Sequence, residues 1–203
     1  MDNSLSKQIL LSILGIAILI IAFVGISYAV LVTGKNTDSD QEDISISFIN
    51  NNSNILTVNA LPFTDDEGIK LSSENNVFDF VVNADIVDGR ELNYEIVLRK
   101  IDDQAFLING NDIRIYLEKL VDGVYVPTST KMPITFVANG VVDEYGSTAD
   151  SMTIYTGFLK NVTEDESRFV EKYRLRIWIS QNALLDGTFD NFQIALELHS
   201  KVL

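Results

Sequence analysis

The sequence predicts an all-β fold, an antiparallel β-sandwich or jelly roll, preceded by one N-terminal hydrophobic transmembrane or signal helix. Three observations carry this. Beyond residue 43 the apolar residues recur with period two rather than the helical period. Clusters of turn-forming residues such as "NGND", "DEYGSTAD" and "DGTFDN" separate the periodic stretches. The long uncharged apolar run is confined to the start of the chain. Residues 1–32 therefore read as a transmembrane anchor or signal segment, 33–43 as a polar linker, and 44–203 as one extracellular β-sandwich domain.

The first element is the apolar segment. From Ile9 to Val32 no residue is charged, and polar or glycine interruptions are confined to Ser12, Gly15, Gly25, Ser27 and Tyr28. That is about the length a bilayer-spanning helix requires. Lys7 precedes the run and the acidic stretch "TDSDQED" follows it from Thr37, so the short N-terminal flank belongs inside and the remainder outside. "SYA" also places Ser27 and Ala29 at the small-x-small positions read by signal peptidase, which makes cleavage after Ala29 the competing reading. Against it, the apolar run continues through Val30, Leu31 and Val32, and the preceding residues carry one lysine offset by Asp2. Anchor and leader both stay open. The protein belongs in the cell membrane with its C-terminal domain outside, or is secreted to the cell surface after cleavage.

The linker "TGKNTDSDQED" is polar and shows no apolar periodicity. Strands follow it. "ISISF" at 44–48 alternates cleanly, and "VFDFVVNADI" places Phe78, Phe80, Val82, Ala84 and Ile86 on one face. In "LNYEIVLRK", Leu92, Tyr94, Ile96 and Leu98 face one way. In "IRIYLEK", Ile113, Ile115 and Leu117 do the same. Asp122-Gly123 then predicts a tight turn that folds Val124 and Val126 back as a hairpin partner. "SMTIYTGFL" predicts Met152, Ile154, Thr156 and Phe158 inward. "YRLRIWIS" predicts Tyr173, Leu175, Ile177 and Ile179, and "FQIALELH" predicts Phe192, Ile194, Leu196 and Leu198. "TEDESRFVEKY" alone in this part carries a hint of helical period. Seven to nine antiparallel strands result.

Composition excludes several functions. The net charge of -14 opposes a nucleic-acid surface, which needs clustered Lys and Arg. It equally opposes adsorption to anionic headgroups, so membrane contact rests with residues 9–32 alone. With no cysteine there are no disulfides, thiolate metal sites or cysteine nucleophiles. The single histidine, His199, rules out an H-E-x-x-H zinc site, and it lies on the polar parity of the last strand beside Glu197. A Ser-His-Asp triad would have to use it, and an exposed or edge-strand histidine is the plainer reading. Carboxylate pairs in "TDDEG" (64–68), "IDD" (101–103) and "TEDES" (163–167) suit glycoside hydrolysis only if two face each other across a cleft. Solvated loops explain them more simply. The expectation is a protein that is not an enzyme.

No cofactor is implied. Calcium is the ionic candidate, because oxygen-rich loops at one end of a sandwich can converge on it; the candidate ligands are Asp65, Asp66 and Glu67, or Asp186 and Asp190. Trp178 falls on the outward parity with Arg174 and Arg176, either covered by another part of the chain or exposed as a contact patch. Asn51 and Asn161 match the glycosylation acceptor pattern.

The order of these pieces is an apolar leader ending "GISYA", a strand near Ser45, then "NYEIVL", "IRIYLEK" and a late "YRLRIWIS". It resembles the exported β-sandwich proteins of the TasA and camelysin group, which are processed by a SipW-type signal peptidase. The resemblance implies a jelly-roll extracellular protein with a structural or adhesive role, assembling into fibres by donor-strand addition. Members commonly show an aromatic residue and then threonine or serine soon after the leader; this chain has "AVLVTG" from Ala29 to Gly34. The functional expectation is a noncatalytic surface or matrix protein that associates with itself or a related surface protein. The alternative is a membrane-tethered module, or virion or cell-surface subunit, that recognises a protein or glycan.

Overall fold

Period-two alternation becomes two facing sheets. In the computed structural model the described residues are 43–49, 53–86, 91–160, 168–185 and 190–202. In chain order they form β1 (Asp43–Phe48), β2 (Ile55–Asn59), β3 (Pro62–Phe63), α1 (Asp65–Gly68), β4 (Val77–Asp85), β5 (Glu91–Lys100) and α2 (Asp103–Leu107). A 3-10 turn (Gly110–Asp112), β6 (Ile113–Val121), β7 (Val124–Pro127), β8 (Ile134–Thr135), β9 (Ser151–Lys160), β10 (Arg168–Ser180) and β11 (Asn191–Val202) complete the unit. The first sheet has the order β1-β4-β10-β6-β7, with β3 added to β10 and β8 to β6; the second has the order β2-β11-β5-β9.

The predicted inward sets meet between the sheets. Phe80, Val82, Ile115, Leu117, Leu175 and Ile177 of the first sheet face Leu92, Ile96, Leu98, Phe192, Ile194 and Leu196 of the second, all essentially inaccessible. Each such side chain contributes about 1.5–3 kcal/mol by leaving water. The Asp122-Gly123 turn is present, with φ of 51° and 82°, and it joins β6 to β7. Both residues occupy the left-handed region that a two-residue hairpin turn of this kind needs.

Three expectations need correction. Among the described residues the two sheets contain eleven strands rather than seven to nine, and β3 runs parallel to β10. The hint of helix in "TEDESRFVEKY" gives way to strand β10 from Arg168 onward, where Phe169 and Tyr173 turn toward the core. In β9 the alternation breaks at a bulge: Ile96 pairs with Tyr155 and Val97 with Thr153, so Ile154 has no partner of its own. The extra residue moves Gly157 and Leu159 to the inside and leaves Thr156 and Phe158 exposed. Gly157 is needed there because a β-carbon would fall 2.1 Å from Tyr94 Cζ.

Among the described residues no helix is long and apolar enough to cross a membrane. The segment 9–32, with Ser27 and Ala29, lies outside the described residues, as do Asp186, Asn51, Asn161 and residues 163–167.

Candidate functional site

The acidic stretch 64–68 folds into α1. Thr64 Oγ1 accepts the Glu67 amide at 3.2 Å and Glu67 Oε2 accepts the Thr64 amide at 3.0 Å, a reciprocal cap that holds the Glu67 carboxyl below its ordinary value. Asp65 lies 3.3 Å from Arg114, and Asp66 is exposed. Asp190 is exposed, and its carbonyl accepts the Ala60 amide at 2.9 Å. Among the described residues no group of three or more His, Asp or Glu side chains is placed to hold a metal ion.

α1 also resolves the outward tryptophan. Gly68 lies against the Trp178 ring, which is fully buried, and the indole Nε1 has no hydrogen-bond partner among the described residues. The flanking arginines are committed too. Arg174 holds Asp79 through two bonds of 2.7 and 2.8 Å and stacks 4.2 Å from the Tyr125 ring centroid. Arg176 pairs with Glu118 and donates to the Leu71 carbonyl at 3.0 Å. The covered reading of Trp178 holds, and the exposed patch does not form.

His199 is half-buried rather than exposed, which corrects that part of the sequence expectation; the edge-strand part stands, since at this level β11 pairs with β5 alone among the described residues. It lies on β11 opposite Glu95 of β5, beyond the stretch 191–195 that pairs with β2, and beneath the segment 139–150 that crosses the outer face of the second sheet. Nδ1 lies 3.1 Å from the Tyr145 carbonyl and 3.4 Å from Ser147 Oγ; Nε2 lies 3.3 Å from Glu197. Serine, histidine and a carboxylate thus meet, but not as a catalytic triad. A carbonyl can only accept, so the Nδ1 that bonds Tyr145 carries a proton and has no lone pair for the serine. Ser147 is also inaccessible, closing the approach of any substrate carbonyl.

Two inward positions carry charge instead of apolar surface at the end where β10 begins. Glu171 of β10 and Lys119 of β6 pair at 2.5 Å. Tyr94, reaching across from β5, and Tyr173 both donate to Glu171, the latter at 2.7 Å. Burial pushes the Glu171 carboxyl up, yet Lys119 and the two hydroxyls outweigh it and hold it below its ordinary value. Burial pushes both tyrosine hydroxyls well above theirs. Every polar atom of this set has a partner, so it clamps one sheet to the other.

The edges of the sheets are the next feature. Among the described residues β1 has one neighbour, β4; Ile44, Ile46 and Phe48 pack against the core while Ser45 and Ser47 face solvent. Phe48 stops opposite Phe80, so the first residues of β4 run on past it. A groove of about 510 Å³ opens there, lined by Phe48, Phe78, Asp79, Glu74, Asn75 and the edge strand β2 at Ile55 and Thr57.

At the opposite end of the sandwich from the start of β1, Lys100 closes the inner face of β5. It is 9% exposed, donates to the Ile108 carbonyl at 2.7 Å and lies 5.2 Å from the Phe136 ring centroid. It borders an open cleft of about 300 Å³ between residues 109–111 and 136–138.

No protein-family model and no curated protein sequence matches the chain. Among solved structures it is similar to TmCBM61 in complex with β-1,4-galactotriose, at 9% identity over 78% of this chain and 87% of that one, with a TM-score of 0.26. It is also similar to the enzymatically active domain of bacteriophage CBA120 tailspike protein 4, at 8% identity over 81% of this chain, with a TM-score of 0.26. The chain spans 20% of that tailspike chain.

Sequence reasoning passed over Lys100, Lys119 and Glu171. Their signal was present in the alternation itself. Lys100 shares the parity of Leu92 to Leu98, and Lys119 that of Ile113 to Leu117. A charge on an apolar parity is a residue that needs a partner inside.

Proposed function

We propose that this chain is a noncatalytic surface protein, held at or released to the cell exterior, that assembles with copies of itself by exchanging strand β1. One observation carries the reading. β1 is the first strand of the described residues, lies at a sheet edge with β4 as its one described neighbour, and still directs Ile44, Ile46 and Phe48 into the core. A terminal edge strand of that kind satisfies the same ladder bonds and the same apolar sites in a second copy as in its own. The sequence order that resembles the TasA and camelysin group adds the expectation of fibres.

The absence of native cysteine gives a direct test. Ser45 and Asn83 face each other across β1 and β4, within the span of a disulfide. Oxidised S45C/N83C protein, with β1 fastened to its own β4, is expected to stay monomeric and to polymerise once reduced. Polymers forming equally well from the fully oxidised variant would overturn strand exchange.

A second reading, recognition of a glycan by loops at the end remote from the start of β1, is favoured by the cleft beside Lys100. Its test is titration of the full-length protein in nonionic detergent with neutral and acidic sugars. No heat and no thermal shift with either would remove it.

A further inference from the structure

The other partly buried cations show what Lys100 lacks. Arg99 lies 2.6 Å from Glu197, Arg114 3.3 Å from Asp65, Lys119 2.5 Å from Glu171 and Arg174 2.7 Å from Asp79, and Arg176 meets Glu118. Lys100 is the most enclosed of these cations by residue, and no described carboxylate pairs with it. An ammonium carries three N–H donors, and the Ile108 carbonyl takes one. A buried charge left without a counter-ion is costly, and burial accordingly pulls the Lys100 amine below its ordinary value.

The surroundings are built rather than loose. The Phe136 amide is held by the Gly110 carbonyl at 3.1 Å and the Ile113 carbonyl at 3.2 Å, so the two walls of the cleft are tied together at its base. The Asn109 side-chain oxygen caps the Asn111 amide at 3.0 Å, which fixes the other rim. Among the described residues the cleft is lined by Asn109, Asn111 and Phe136 and by no acidic side chain.

The geometry points to a receptor for a small monocarboxylate, in which Lys100 supplies the counter-charge and the asparagine amides and Phe136 ring hold a hydroxylated body, as in a sugar acid. A single cation matches a single carboxylate, and the net charge of -14 disfavours polyanions. The cleft volume of about 300 Å³ suits one sugar residue. This inference rests on the recognition reading of the same end, and it names the ligand class.

The test is calorimetric titration of the full-length protein in nonionic detergent with glucuronate, acetate and glucose, repeated on Lys100→Met. Glucuronate is expected to bind, with affinity at least tenfold weaker in K100M and falling as pH rises before exposed lysines lose their charge. K100M removes a buried charge without a counter-ion at similar volume but also the donor to the Ile108 carbonyl, so its melting is recorded alongside and binding is compared at a temperature where both proteins are folded. Acetate binding as tightly as glucuronate, lost in K100M, keeps the carboxylate receptor and assigns it to simple organic acids. Glucose binding as well as glucuronate would overturn the carboxylate site while leaving glycan recognition standing. Glucuronate binding unchanged in K100M, or no binding by any of the three, would also overturn it.

Discussion

The hydroxyls of Tyr94, from one sheet, and Tyr173, from the other, lie 2.5 Å apart and share the Glu171 carboxylate between them. Three groups satisfy one another, so removing one hydroxyl weakens the bonds of the others. Y94F and Y173F are each expected to lose about 1–2 kcal/mol in urea unfolding. The double variant should lose less than the sum, because the 2.5 Å contact between the two hydroxyls is lost in each single variant and is counted twice in the sum. Additive losses would show that the tyrosines act separately.

The same cluster sets the response to pH. The folded Glu171 carboxyl titrates below its ordinary value, so its contribution is complete above about pH 4.3 and is lost as pH falls through the folded value. Tyr94 and Tyr173 are displaced upward, so theirs is complete below about pH 10 and is lost as pH rises beyond it. E171Q is expected to flatten the acid limb of a melting-temperature profile. Tyrosinate absorbance from the two residues should appear only with unfolding. An acid limb unchanged in E171Q would remove the cluster from the account.

Alternation made much of this fold legible, because strands buried on one face must place Phe78 to Ile86, Leu92 to Leu98 and Tyr173 to Ile179 on a single parity. It failed after Ile154, where one inserted residue reverses every later side chain from Tyr155 on without leaving a compositional mark. The site was less legible. Acidic stretches drew attention as metal loops, yet Asp65 and Glu67 serve an ion pair and a helix cap. The pairing that gives His199 its surroundings joins positions more than fifty residues apart, which local pattern does not encode.

The segment over His199 gives a prediction about charge. Burial, and then the negative charge of Asp143, push the Glu95 carboxyl above its ordinary value, so its ionised form opposes folding at neutral pH. Asp143 cannot easily yield, since the amides of Tyr145 and Ser147 both donate to it at 2.9 Å. E95Q, which keeps an acceptor for the Thr153 hydroxyl, is expected to gain about 0.5 kcal/mol at pH 7 and less at pH 4. A loss at both pH values would mean that the Glu95 charge itself holds the segment down.

The contact of Gly68 with Trp178 allows a prediction of opposite signs from two substitutions. A β-carbon at residue 68 would fall 2.1 to 2.5 Å from Cε2, Cδ2 and Cζ2 of the indole, closer than any real contact, so G68A must lift α1 or turn the ring. It is expected to cost about 1–3 kcal/mol. W178F leaves a void but also removes the Nε1–H that has no acceptor, and an orphaned buried donor costs about 1–3 kcal/mol by itself. W178F should therefore cost less than the roughly 3–5 kcal/mol usual for truncating a large buried aromatic to alanine. A phenyl ring also lacks the fused ring whose atoms meet the added methyl. The double variant G68A/W178F should then be more stable than the two single losses predict, by about 1 kcal/mol. Measured additivity would mean that α1 moves aside for alanine at no cost from the tryptophan, and that the helix does not seal the ring.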